Sequence, residues 1–246
     1  MPAKSSDPKS DAPLILACDT TQGACSVALY QGAAIAAQLQ PMQKGHAEAL
    51  LPMIERVMQE AGVGLAAVDR LAVTNGPGTF TGVRVGLSAM RGLALALHRP
   101  LKAYGTLAVM AFACRHDGPV IVAVDAKRDT FYTQAFDAKG TASAPPAALS
   151  GEAVVALAQA LGTPVGLCGS GAALLEAHIA GATVLDAPLY PQAARLAEMA
   201  AADTDWPSAG AEAAAPEPVY LRPPDATLPD PAKRIKWVGD KTDHDG

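Results

Sequence analysis

Four stretches of this chain combine residue types that could do chemistry. The first is Asp19-Thr20-Thr21. A carboxylate at a strand end beside hydroxyls can hold a hydrated Mg²⁺ or meet phosphate oxygens. The same residues also cap turns by accepting from nearby backbone amides. Asp125-Ala126-Lys127-Arg128-Asp129 repeats the ambiguity, because a charged hairpin tip needs no ligand. The second stretch, Gly166–Gly171 (GLCGSG), reads as a glycine turn opening a helix. Free backbone N–H groups there would suit a phosphate or an adenosine, and a tight strand-to-helix turn explains the glycines equally well. It is not a GxxxxGK[ST] loop.

The third stretch is Asn75–Gly92 (NGPGTFTGVRVGLSAMRG). Gly76, Gly78 and Gly82 relieve steric limits in its loop. Gly82 and Gly86 stand four apart, so another backbone can approach the helix closely on that side. Phe80, placed between two threonines at the helix start, and Arg84 could lie on a partner face or simply pack. The fourth stretch, His46-Ala47-Glu48-Ala49-Leu50-Leu51-Pro52, reads as a helix start with its usual charge and capping arrangement. HxxxH and HExxH are both absent, and His98, His116, His178 and His244 are scattered. No nucleophile–base pair follows from such a set.

The elements that must position these residues are read from periodicity. Leu14–Asp19 predicts a buried strand, Thr20–Ala24 a turn, and Cys25–Tyr30 and Ala33–Gln40 two further strands joined at Gln31-Gly32. A helix is expected from Ala47 to Ala61, with Leu50, Ile54, Val57 and Ala61 on one face and Gly62 ending it. Leu71–Thr74 is a strand running into the glycine-rich loop, and a long helix continues to about His98 before Pro100. The pattern then partly repeats. Pro119–Asp125 and Thr130–Phe136 are strands, Val154–Leu161 a helix, and Val165–Cys168 a strand entering Gly169-Ser170-Gly171 and another helix. The strand-end carboxylates Asp19 and Asp125 suggest two related lobes. Arg195–Ala202 reads as a last helix, and Val219–Arg222 as a short ordered piece before a flexible tail.

Bulk properties exclude some functions. The 246 residues are 50% hydrophobic with mean hydropathy +0.17, which allows a sizeable core. Aromatics are only 4%, so Ala, Leu and Val must do most of the packing. A net charge of −5 leaves no domain-wide basic field for nucleic acid, although Lys233, Arg234, Lys236 and Lys241 could contribute. Residues 1–13 have no apolar core of a leader peptide. Leu87–Leu97 is apolar but reads as too short to span a membrane, with Arg91 inside it. Cys18, Cys25, Cys114 and Cys168 form no CxxC pair and read as reduced thiols.

Taken in order, Asp19-Thr20-Thr21, His46-Ala47-Glu48 with Leu50-Leu51-Pro52, and Asn75–Arg84 resemble the TsaB family, over roughly residues 14–224. The Asp125 hairpin and Tyr220-Leu221-Arg222 fit as well. The resemblance implies an α/β, two-lobed ribonuclease H-like, actin-like ATPase (ASKHA) fold, with mixed sheets flanked by helices. On that plan residues 1–13 are a disordered segment, 14–104 the N-terminal lobe and 105–190 the C-terminal lobe. Residues 191–224 are a helix and return segment, and 225–246 a flexible tail.

It also implies a role. TsaB-like proteins pair with the related catalytic subunit TsaD. With the ATPase TsaE they transfer a threonylcarbamoyl group from threonylcarbamoyl-AMP to the adenosine beside the anticodon of ANN-decoding tRNAs. The expectation is therefore a non-catalytic, cytoplasmic scaffold subunit with a TsaD-like and a TsaE-like partner, meeting tRNA only through the complex. A homodimer in isolation is allowed, and no membrane is involved. The expected partner interface is His46, Glu48, Leu50, Leu51, Ile54, Phe80, Arg84, Gly86 and Met90. A vestigial nucleotide cleft would comprise Asp19, Thr20, Thr21, Asp125, Gly169 and Gly171. No metal is expected, and ATP or ADP at a partner interface is the one cofactor left open. The catalytic paralogue carries an HxxxH metal pair where this chain reads Tyr104–Ala111, without histidine. The alternative is an independent ATP-dependent kinase, acyltransferase or glycoprotease-like hydrolase of the same superfamily, with Asp19 or Asp125 catalytic.

Overall fold

Ile15–Gln22 (β1), Ala24–Tyr30 (β2) and Ala34–Pro41 (β3) form an antiparallel meander. The computed structural model describes residues 12–114, 116–162, 164–210 and 215–222. Most of the expected N-terminal segment 1–13, and all of the tail 225–246, lie outside the described residues. β1 also pairs in parallel with Arg70–Thr74 (β4), which pairs with Leu101–Tyr104 (β5), so the sheet order is β3-β2-β1-β4-β5. Every residue of β1 is buried. That agrees with the continuous apolar run of residues 15–18 in its first half, because a strand covered on both faces has no polar side to alternate with; in its second half residues 19–22 are polar and buried.

Two helices cover one face of this sheet. His46–Ala61 (α1) ends at Gly62, whose φ of 68° is the left-handed conformation that glycine adopts without penalty. Phe80–Leu97 (α2) starts at Thr79, whose hydroxyl accepts from the Gly82 N–H as an N-cap. Leu50, Ile54 and Val57 of α1 and Val83, Leu87 and Met90 of α2 close over Leu16, Cys18, Val27 and Val73. With 18 residues, α2 is long and apolar enough by length and composition to cross a membrane, longer than the Leu87–Leu97 run suggested. Its Val83–Met90 side packs on the sheet as a core helix does.

Thr106–Phe112 (α3) precedes a second sheet. Val120–Asp125 (β6), Thr130–Phe136 (β7) and Ala147–Ser150 (β8) form another meander. Gly151–Leu161 (α4), Val165–Cys168 (β9), Ala172–Leu175 (α5), Ala182–Val184 (β10) and Ala193–Ala202 (α6) follow. The order is β10-β9-β6-β7-β8, with β6, β9 and β10 parallel. Both halves therefore run three meander strands, helix, strand, helix, strand, helix, and both sheets have the same topology. The repetition suggested by the two strand-end aspartates is present in the fold itself.

α3 and α6 sit on the other face of the first sheet. Ala193, Leu196, Ala197 and Ala200 of α6, with Val109 of α3, pack on Ile15, Ala17, Ala28 and Ala72. Leu107 and Met110 of α3 instead join Val120, Val122, Val124 and Phe136 of the second sheet. Small side chains on both partners let helix and sheet approach closely, which suits a chain poor in aromatics.

Candidate functional site

Thr20 and Thr21 belong to β1 and not to a turn; only Gly23 separates β1 from β2. Asp19, Thr20 and Thr21 are buried. Asp19 Oδ1 accepts from the Thr21 hydroxyl (2.6 Å), the Thr74 hydroxyl (2.5 Å) and the Thr21 N–H (3.3 Å). Its Oδ2 has no hydrogen-bond partner among the described residues. Burial raises the Asp19 pKa to about 6, against the lowering effect of the Thr21 and Thr74 bonds and of His46.

The glycine-rich loop explains this burial. A Cβ on Gly78 would stand 2.2 Å from the Thr21 carbonyl oxygen, and one on Gly82 2.1 Å from that of Thr20. The loop and the first turn of α2 are therefore pressed directly onto the end of β1. The Thr79 N–H donates to the Thr21 carbonyl (2.7 Å), and the Thr20 hydroxyl donates to the Gly82 carbonyl (2.7 Å). The actin-like fold implies a nucleotide, but the chain's own loop fills this corner. The Asp19-Thr20-Thr21 set does not fit a nucleotide phosphate.

Gly169 and Gly171 serve the turn after β9. The Gly171 N–H donates to the Ala123 carbonyl (2.9 Å), and Gly169, at φ 95°, could not carry a Cβ, which would meet that same oxygen at 2.5 Å. The helix that follows has only four residues. Of the two readings left open for these glycines, an N–H cradle and a tight strand-to-helix turn, the geometry matches the tight turn. Asp125 lies at the β6–β7 tip, where its N–H donates to the Ser170 hydroxyl (3.0 Å) and its carboxylate pairs with Lys127 (2.8 Å). The hydrogen bond from the Lys127 side chain, outweighing the opposing effect of desolvation, holds the Asp125 carboxyl below its usual range.

The expected partner set divides in two. His46, Leu50, Ile54, Gly86 and Met90 are buried, which corrects their placement on an interface. The His46 ring nitrogen Nε2 bonds the Gln22 carbonyl (2.9 Å), and Gly86 backs onto the Thr20 hydroxyl, which a Cβ would approach to 2.7 Å. Glu48, Leu51 and Arg84 do face outward. Leu51 is 56% exposed and Leu95, which the sequence reading did not single out, 59%. Phe80 is half-buried because residues 215–222 cross over it. The Phe80 and Tyr220 rings stack at 5.0 Å, the Arg84 guanidinium lies 3.5 Å above Phe80, and Arg84 Nε donates to the Tyr220 hydroxyl (2.9 Å). The same strap continues the loop contacts. The Val219 N–H donates to the Asn75 carbonyl (2.7 Å), and Arg222 Nη1 donates to the Ala126 carbonyl in the second lobe (2.8 Å).

Tyr104–Ala111 form the end of β5 and most of α3, and Thr106, Leu107, Val109 and Met110 are buried there. Cys18, Cys25 and Cys168 are buried free thiols, and Cys114 is half-buried.

Two mixed sheets of like order, each packed by helices, with a buried carboxylate within the first strand, define a two-lobed actin-like protein. The family model described as "TsaD: tRNA N6-adenosine threonylcarbamoyltransferase" matches residues 40–212, and the chain belongs to that family. It is 38% identical over 121 residues to the tRNA threonylcarbamoyladenosine biosynthesis protein TsaB of Escherichia coli K12, covering 48% of this chain and 52% of that protein. A tRNA N6-adenosine threonylcarbamoyltransferase of Erythrobacter litoralis is 49% identical over 72 residues, covering 29% of this chain and 21% of the relative. The chain spans about half the length of the first TsaB relatives it matches. A crystal structure of an uncharacterized Pseudomonas aeruginosa protein with similarity to peptidase YeaZ superposes with TM-score 0.70 at 34% identity, covering 85% of this chain and 100% of that one. YeaZ from Pseudomonas aeruginosa superposes with TM-score 0.62 at 32% identity, covering 76% and 90%.

Proposed function

We propose that the chain is a non-catalytic, cytoplasmic subunit for tRNA N6-threonylcarbamoyladenosine formation. It pairs through the outer face of α1 and α2 with a TsaD-like catalytic relative, works with a TsaE-like ATPase, and meets tRNA only through the assembly. The observation that carries this reading is the exposure of Leu51 and Leu95 on helices whose inner faces are already spent on the core. Two features add support: the loop-filled corner at Asp19, and apolar core residues where the catalytic paralogue would hold its histidines. TsaB names among the relatives point to the same pathway.

The test is co-purification with a TsaD-like protein, followed by threonylcarbamoyl transfer to tRNA in the reconstituted mixture. Leu51→Glu with Leu95→Glu is expected to abolish pull-down while changing stability by no more than about 0.5 kcal/mol, as surface changes do. Gly86→Arg is unsuitable for this purpose, since Gly86 is buried against Thr20. Wild-type pull-down by the double variant would refute the placement. ATP hydrolysis or transfer by the purified chain alone, lost in Asp19→Asn, would favour the independent-enzyme reading instead.

A further inference from the structure

The repeated topology makes one difference between the lobes visible. After its fourth strand the first lobe has α2, of 18 residues, whose start and preceding loop cover the end of β1. The second lobe has α5 at the same point, with four residues. The corner beside the β6–β7 tip is consequently open, as a cleft of about 760 Å³. Phe131, Val155 and Leu174 give it apolar walls, and Asp125, Asp129, Glu152 and His178 line it as well. Asp125 is paired with Lys127. Asp129 and Glu152 are exposed and have no ion-pair partner among the described residues. Leu174 is 58% exposed.

The described strap ends beside this cleft. Arg222 Nη1 donates to the Ala126 carbonyl at 2.8 Å, inside the same β6–β7 tip that supplies Asp125 and Asp129. Beyond it the sequence continues to Lys233-Arg234-Ile235-Lys236-Trp237, whose last four residues alternate cationic and apolar. In extended backbone such alternation places Ile235 and Trp237 on one side and Arg234 and Lys236 on the other. The residues between Arg222 and Lys233 can span up to about 35 Å when extended, more than enough to turn back over the tip.

We propose that residues 233–237 of the same chain dock in this cleft. Ile235 and Trp237 lie on Phe131, Val155 and Leu174, while Arg234 and Lys236 meet Asp129 and Glu152. Polypeptide then fills the corner of the second lobe much as the glycine-rich loop fills that of the first. Three observations select this occupant: the point where the strap ends, the charge left over on the cleft, and the filled counterpart in the first lobe. The inference does not depend on the proposed partner role.

Trp237 is its own reporter. In the full-length chain, the difference between the parent and Trp237→Phe isolates its emission from that of Trp206. Docking is expected to give blue-shifted emission and protection from acrylamide quenching at all protein concentrations. Leu174→Asp, at a position exposed enough to leave the fold intact, and Asp129→Lys with Glu152→Lys should each lose that protection. Far-ultraviolet circular dichroism should stay unchanged in both. Trp237 that is fully quenchable in the parent would overturn the proposal. So would protection that appears only as protein concentration rises, which indicates a second copy, or only on adding tRNA.

Discussion

Burial of Asp19 has a measurable consequence for stability. Its carboxyl holds its proton up to about pH 6 in the folded chain, against 3.8 for an unperturbed aspartate, chiefly because burial disfavours the charge. Between those values the folded state binds more protons than the unfolded one, so stability falls as pH rises. The penalty is absent below pH 3.8 and fully present above about pH 6. At 1.36 kcal/mol per unit, a shift from 3.8 to about 6 amounts to about 3 kcal/mol. Asp19→Asn removes the titration while keeping a carbonyl oxygen for Thr21 and Thr74, and its amide takes the place of the unpartnered Oδ2. Urea unfolding of parent and variant across this range is the assay, because titrating groups that do not act on Asp19 cancel in the difference. The variant should gain about 3 kcal/mol relative to the parent between about pH 4 and pH 7, whatever the offset at low pH. A difference that stays constant over that window would refute the argument. A difference that moves the other way would mean that the Thr21 and Thr74 hydrogen bonds outweigh desolvation.

Two further outcomes are expected. Gly82→Ala should cost about 3 kcal/mol in the same unfolding assay, since the new Cβ meets the Thr20 backbone, whereas Gly92→Ala, with open space around it on an exposed helix face, should stabilise by about 0.5–1 kcal/mol. Arg222→Ala removes the bond to the Ala126 carbonyl and should release the strap, seen as faster amide exchange at Val219 with at most about 2 kcal/mol lost globally.

The limits of sequence reading fall at particular residues. Periodicity correctly groups Leu50, Ile54 and Val57 on one side of α1. A period of 3.6 marks an apolar side without saying whether it meets the chain's own sheet or another protein, and here it meets the sheet. Thr20-Thr21 looks like the start of a turn because polar residues usually end strands. It continues as strand because Thr79 and Gly82 from a distant loop satisfy its backbone and hydroxyl groups. β5, β8 and β10 are edge strands of three or four residues, too short to show a period, and periodicity does not reveal them or the seven-residue α3.

What the sequence determined by itself is the local grammar: the buried strands β1, β4, β6 and β9, the starts and stops of α1 and α2, and the glycine run that carries the family resemblance. Those features depend on neighbours a few residues apart, which a linear reading sees. Tertiary structure alone decided that the Asp19 corner is closed, that His46, Gly86 and Met90 face inward, that Tyr220 and Arg84 clamp Phe80, and that a short α5 leaves a cleft at Asp125. Each depends on contacts between residues tens of positions apart or more, where what fills a space is set by packing and not by the residues that border it.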